Sequence, residues 1–226
     1  MRLRTLRQFF AFLVAEGYLA ENPAARVEKL GTAEVLLVAI TDHQVRRILA
    51  VPDRKTFAGL RDYTITVLLV DTGLSEVIGI HLGDVNFPEG HIKVLGKGAR
   101  ERVVPVQGKL KKALKQYLAQ RGNYVEHDPL HFCRRPFNTM TKRNIQDRIE
   151  KAAIKAEVTN IRTSPHIWRH TFARLYILNG GDPFGLKQIL GHQSSEMVHH
   201  YVTVFGSELK SQHLKASPLQ NSSDDS

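Results

Sequence analysis

The sequence has one cysteine, Cys133, among 226 residues. That excludes a disulfide framework and suits a reducing compartment. It has no run near the ~18 uninterrupted apolar residues that a membrane span requires. Neither a membrane partner nor a membrane location is expected, and the expected location is cytoplasmic. Acidic residues are scarce, with 22 Asp and Glu against 32 Lys and Arg, so the formal net charge is +10. Such an excess speaks to partners rather than to fold, and nucleic acid is the commonest polyanion inside a cell.

Apolar content, by contrast, is ordinary. Hydrophobic residues make up 42% and charged residues 24% of the chain, which excludes a wholly disordered polypeptide. At roughly 150 residues per domain the length allows one full domain and an appendage. A core of that size needs no disulfide or structural metal. The opening MRLRTLRQFFAFLVAEG has the outline of a secretory leader. Its Leu3, Leu6, Phe10 and Leu13, however, recur on one helical face, and Glu16 closes the run.

The spacing predicts a helix over residues 1–20 that ends near Gly17, then a connector up to residue 40. TDHQ at 41–44 is a capping box that opens the next helix, with Pro52 just past its end. A second helix, apolar on most sides and therefore buried, is expected over 58–72 and stopped by Gly73. Between 84 and 106 the period changes. Val85, Ile92 with Val94, and Val103 with Val104 are short β-type runs split by PEG and GKG, which predicts a small antiparallel meander. Helical spacing returns at Leu110, Ala113, Leu114, Tyr117 and Leu118. Thr141 caps a helix through about 155. Ser164-Pro165 and Asp182-Pro183 start two more, ended by Gly180-Gly181 and by Gly191. The polar tail SPLQNSSDDS is expected to be disordered. The fold class expected is α+β, mainly α, with one small three-stranded antiparallel sheet.

Four segments can carry chemistry: GKGARERVVP at 96–105, SPHIWRH at 164–170, LGHQS at 190–194 and HHY at 199–201. His166, Arg169 and His170 are spaced i, i+3, i+4 and project from one helical face. Arginine's planar fork suits the oxygens of a phosphate, and a helix N-terminus adds a favourable dipole. Taken singly, the remaining signals are bland. GKG reads as a hairpin tip, His192 as a histidine beside terminal carbonyls, and Tyr201 as a packed aromatic with a wet hydroxyl. His166 and His170 also have the spacing of zinc ligands. The metalloprotease helix needs Glu directly after the first His, where this chain has Ile167, so no metal site is assigned.

Together, the order and spacing of these segments resemble the tyrosine recombinase (phage integrase) family, nearest its Xer-like and transposon-integrase branches. LRQFFAFLVAEGYLAENPA looks like the last helix of the family's core-binding domain, and ITDHQVRRIL like the start of its catalytic domain. LRDYTITVLLVDTGL and SEVIGIHLGDV continue the likeness, which spans about residues 3–205. It implies residues 1–40 as a core-binding remnant with linker, 41–206 as a helical catalytic domain of the DNA breaking-rejoining type, and 207–226 as a terminal segment.

The resemblance further implies cutting and rejoining of duplex DNA through a 3′-phosphotyrosyl link, without metal or other cofactor. Tyr201 is then the nucleophile, Arg169 holds the scissile phosphate, and Lys97 is the acid for the leaving 5′-oxygen. His166 and His192 are hydrogen-bonding and proton-handling partners. Arg100, Arg102, Lys142 and Arg143 are candidates for DNA-backbone contacts. Family members act as tetramers on DNA and pass a carboxy-terminal segment to a neighbour, a part open here to residues 205–216.

Two departures from the family pattern stand out. After TGL the family has Arg, an apolar residue, then Ser or Gly and Glu, whereas here Leu74 is followed directly by Ser75-Glu76. Arg61 matches a non-catalytic position and is no obvious substitute. Loss of one such cation typically costs on the order of 10³-fold in rate. If the segment is helical, the deletion also turns Ser75 and the residues after it by about 200°. Strand cleavage is therefore expected to be weakened. The second departure is a front that begins in the last core-binding helix, for which a shallower salt dependence of DNA binding is expected. A runner-up reading is a non-catalytic DNA-binding remnant of a mobile-element integrase. A third, a metal-dependent hydrolase using His166 and His170, predicts sensitivity to chelators.

Overall fold

The computed structural model describes residues 2–27, 38–74, 76–96, 101–122, 125, 127–130, 140–191 and 196–205. Cys133, Lys97, Arg100, His192 and the tail from 206 onward lie outside the described residues. The chain divides into two compact units, residues 1–36 and 37–226.

In the first unit, α1 spans Arg2–Ala15 and half-buries Leu3, Phe10 and Leu13, whereas Leu6, expected on the same face, is exposed. The chain after it folds back along the helix. The Arg7 Nε donates to the Ala24 carbonyl at 3.1 Å, and the Asn22 amide donates to the Arg7 carbonyl at 3.0 Å.

The second unit is built around α3 (Phe57–Thr72), whose Leu60, Tyr63, Ile65, Val67, Leu68 and Leu69 are all buried. Its partners are α2 (Asp42–Ala50), α4 (Gly108–Arg121), α5 (Lys142–Lys155) and α6 (Pro165–Leu178). Thr41 and Gln44 form the expected capping box on α2. Gly73 ends α3 at φ +61°, and a Cβ there would lie 2.8 Å from a Phe172 ring carbon and 2.9 Å from a Leu190 methyl. Only glycine fits that turn and that approach. Helix α3 thus ends before Leu74, and Val77–Gly79 form a 3-10 turn rather than part of that helix. A helical rotation of the residues after Leu74 therefore does not arise.

Three short antiparallel strands come next, β1 (Val85–Asn86), β2 (His91–Leu95) and β3 (Glu101–Pro105), in the order β1-β2-β3. Ile92 pairs with Val104 and Val94 with Arg102. Ile92, Val94 and Val104 face the core, while Val103 is exposed, the period-two outcome expected of a sheet with one covered face. Ser164 caps α6, and Asp182 caps α7 (Pro183–Leu190), each followed by Pro. The spacing of Val198, Tyr201, Val202 and Phe205 makes α8 (Glu196–Phe205), an element that the motifs alone do not reveal. A second core cluster joins α6, α7 and α8 through Phe172, Ile177, Leu186, Leu190, Val198 and Tyr201. Among the described residues no helix is long and apolar enough to cross a membrane.

Candidate active site

The site forms where α6 meets the ends of α7, α8 and β3. Helix α6 begins at a Ser164 cap that accepts from the Ile167 amide, so His166, Arg169 and His170 leave the same face within its first turns. The opposite face is anchored by Trp168, Thr171 and Phe172, all buried. The Thr171 hydroxyl accepts from the Ile40 amide at 2.9 Å and donates to the Ile167 carbonyl at 2.7 Å, so the helix is fixed against the start of the unit.

Tyr201 is brought to this face by α8 and has no exposed surface. Its ring stacks on Phe205 at 6.1 Å and 14°, and its Oη lies 2.9 Å from Nδ1 of His170. Burial pushes the phenol pKa up, and the Arg169 charge pulls it back. His170 moves the other way. Burial holds its pKa below the ordinary imidazole value, and His166, Arg169 and His200 add like-charge repulsion. Arg169 is likewise lowered by burial, with Arg102 adding to that and Glu76 and Tyr201 opposing it. A guanidinium remains charged throughout.

Arg169 donates through Nη2 to the Leu190 carbonyl, and Arg102 donates through Nε to the neighbouring Ile189 carbonyl at 3.0 Å. Arg102 also donates to Glu76 at 3.0 Å, with side-chain exposures of 12% and 27% for the pair. The end of α7 and Glu76 are thereby tied to β3. Gly191 closes α7 at φ +64°, and a Cβ there would lie 3.0 Å from Arg102 Cδ. The left-handed turn favours glycine, and a Cβ there would press on the Arg102 side chain.

The residues expected from the sequence separate accordingly. Arg169 and Tyr201 come together, and His166 is exposed at the start of α6, near enough to His170 to affect it. Arg102, expected at the DNA backbone, is largely covered and holds Glu76 and the Ile189 carbonyl. Lys142 and Arg143 are exposed on the first turn of α5, and Arg143 pairs with Asp147 at 3.0 Å. Lys97, Arg100 and His192 belong to segments outside the described residues. Arg61 is buried and pairs with Asp62 at 2.9 Å, itself held by Arg148, consistent with its exclusion as a substitute clamp. Sequence reasoning misses His170, Glu76 and the anchoring part of Arg102. The HxxRH spacing places His170 on the right face, but nothing in sequence links it to a tyrosine 31 positions away.

Among the described residues no cluster of three or more His, Cys, Asp or Glu is placed to hold a metal ion. The donors instead are a charged guanidinium, a phenol and an imidazole, a set suited to an anionic oxygen and a proton transfer.

Comparison with known proteins points to one family. A family model described as the phage integrase family matches residues 39–208. The tyrosine recombinase XerC of Thermodesulfovibrio yellowstonii is 34% identical over 227 residues, covering 96% of this chain and 75% of that protein. The crystal structure of XerA recombinase superposes with a TM-score of 0.68 at 23% identity, covering 96% of this chain and 83% of that one. The Tn1549 transposon integrase, solved in complex with a circular intermediate DNA, gives 0.69 at 20% identity over 93% of this chain and 77% of that one.

Proposed function

The chain belongs to the phage integrase family of tyrosine recombinases, and we propose that it cuts and rejoins duplex DNA with Tyr201 as the nucleophile. The Tyr201 oxygen attacks the scissile phosphorus, the bond to O5′ breaks, and the strand is held as a 3′-phosphotyrosyl ester. Arg169 binds the non-bridging oxygens and offsets the charge that gathers on them in the transition state. Lys97 protonates the leaving 5′-oxygen, and His166 and His192 hydrogen-bond the phosphate. The ester conserves the energy of the broken bond, so rejoining by the 5′-hydroxyl needs no nucleotide cofactor. DNA binding draws on the net charge of +10, and assembly on DNA is as a tetramer.

The observation that carries this reading is the placement of Tyr201, which has no exposed surface, 2.9 Å from His170, the neighbour of a half-buried Arg169 whose charge lowers the phenol pKa. A chain retained only for binding DNA has no need of a nucleophile buried beside a guanidinium. A nicked duplex carrying the recognised site tests it, because release of a short 5′ fragment traps the ester. The wild-type chain is expected to give a covalent band on a denaturing gel, and Tyr201→Phe none. Equal shifts of DNA on a native gel, with no covalent band from either chain, identify a binding protein instead.

A further inference from the structure

We infer that His170 is a further catalytic residue, the proton acceptor for Tyr201: Nδ1 takes the phenolic proton as Oη bonds to phosphorus and returns it when the strand is rejoined. The inference rests on the reading of Tyr201 as nucleophile. Neither the family pattern nor the sequence motifs give His170 this part.

Geometry supplies the first support. Nδ1 is 2.9 Å from the phenol oxygen, inside the range for direct proton transfer, and the two rings are tilted by 59° with centroids 5.6 Å apart. Tyr201 has no exposed surface, so bulk water is not at hand to receive its proton. His166, the other histidine of the motif, is exposed at the start of the helix.

Electrostatics supplies the second. In the free chain His170 faces Arg169 and His166 from its own helix and His200 from α8, and these, with burial, keep its imidazole neutral near pH 7. A neutral imidazole can accept a proton, and a charged one cannot. Tyr201 stays protonated at the same time, because burial raises its pKa. No idle tyrosinate forms without substrate. A phosphodiester docked on Arg169 brings negative charge beside the imidazole and offsets the repulsion from that guanidinium. His170 thereby becomes more basic when its substrate is in place. The developing imidazolium then lies next to the phosphoryl oxygens and stabilises them. The balance closes: Oη–P forms, P–O5′ breaks, the phenol proton goes to His170, and Lys97 supplies the proton for O5′.

Two measurements test this, one of them independent of activity. Nitrogen NMR of histidine-labelled protein at pH ~7.5, above the ordinary imidazole pKa, is expected to find His170 neutral, with hydrogen on Nε2 and none on Nδ1. Hydrogen on Nδ1 overturns the inference outright. Single-turnover cleavage of the nicked duplex is expected to slow by on the order of 10²- to 10³-fold in His170→Ala and in His170→Gln, with DNA affinity unchanged. Added imidazole, or 3-fluorotyrosine at position 201 to lower the phenol pKa, should recover part of the loss. A His170→Gln chain that cleaves at the wild-type rate reduces His170 to a positioning residue and overturns the proton role. Absence of any covalent complex from the wild-type chain counts against the proposed function instead, and the nitrogen tautomer then decides the inference by itself.

Discussion

Arg102 and Arg169 grip the carbonyls of consecutive residues at the end of α7, Ile189 and Leu190. Two guanidiniums near each other repel, and Glu76, paired to Arg102 at 3.0 Å and acting on Arg169, offsets that repulsion. The arrangement fixes the turn at Gly191 relative to α6 and β3. Arg102→Met removes a donor from a part-buried carbonyl and one ion-pair partner from Glu76. The expected cost is about 1–3 kcal/mol of unfolding free energy, read from urea denaturation. Glu76→Gln should cost a similar amount. Values under about 0.5 kcal/mol for both would mean that the pair is a solvated surface bridge.

The shifted groups set the pH dependence. His170 titrates below the ordinary imidazole value of 6.5 when folded, so between the two values the unfolded chain binds more protons. Its contribution to stability is complete above 6.5 and is lost as pH falls through that window. Tyr201, raised by burial, makes stability fall again as pH climbs past about 10, where the unfolded phenol ionises first. Urea midpoints across pH should therefore decline on both sides. His170→Gln should remove the acid-side decline that this residue contributes, and Tyr201→Phe the alkaline one. In kcat/KM for cleavage, the acid limb should lie below 6.5 and be missing from His170→Gln.

The step from Leu74 to Ser75-Glu76 leaves out the arginine that the family pattern has there. One transition-state cation is typically worth on the order of 10³-fold in rate. The wild-type chain should accordingly give a slow, low yield of covalent complex. Insertion of Arg-Val after Leu74 should raise the single-turnover rate by at least about 10²-fold with little change in DNA affinity. Gly73 ends α3 before this point, so the insertion does not lengthen that helix. Equal rates with and without the insertion would show that another cation fills the place.

Lys142 and Arg143, exposed at the start of α5, are candidates for phosphate contacts. Removal of either cation should reduce the slope of log Kd against log salt by about 1 and weaken all DNA sequences alike. Fluorescence anisotropy of Lys142→Ala and Arg143→Ala over a salt series measures this. Arg143 pairs with Asp147, so its slope change should be the smaller of the two. An unchanged slope in both variants would leave these residues as ordinary solvated charges.

Much of the fold is legible in the sequence because local chemistry agrees with the tertiary outcome. The caps at Thr41, Ser164 and Asp182, the stops at Gly73 and Gly191, and the change of period around Ile92 and Val94 are all short-range signals. Helix α8 carries one too, in Val198, Tyr201, Val202 and Phe205, although HHY stands out as a motif and hides the periodicity. Relations across long separations are not legible. Arg102 looks like any basic residue after a hairpin, yet pairing opposite Val94 turns it toward Glu76 and the end of α7. His170 looks like one of two helix-face imidazoles until α8 brings a phenol against it.

The most direct test of Tyr201 as nucleophile is to find which atom of the chain carries the DNA. Covalent complex trapped on a nicked duplex can be digested with nuclease and trypsin and the modified peptide sequenced by mass spectrometry. A 3′-phosphonucleotide ester is expected on Tyr201 and on no other residue. An adduct on a different side chain, or one that persists in Tyr201→Phe, would contradict that assignment.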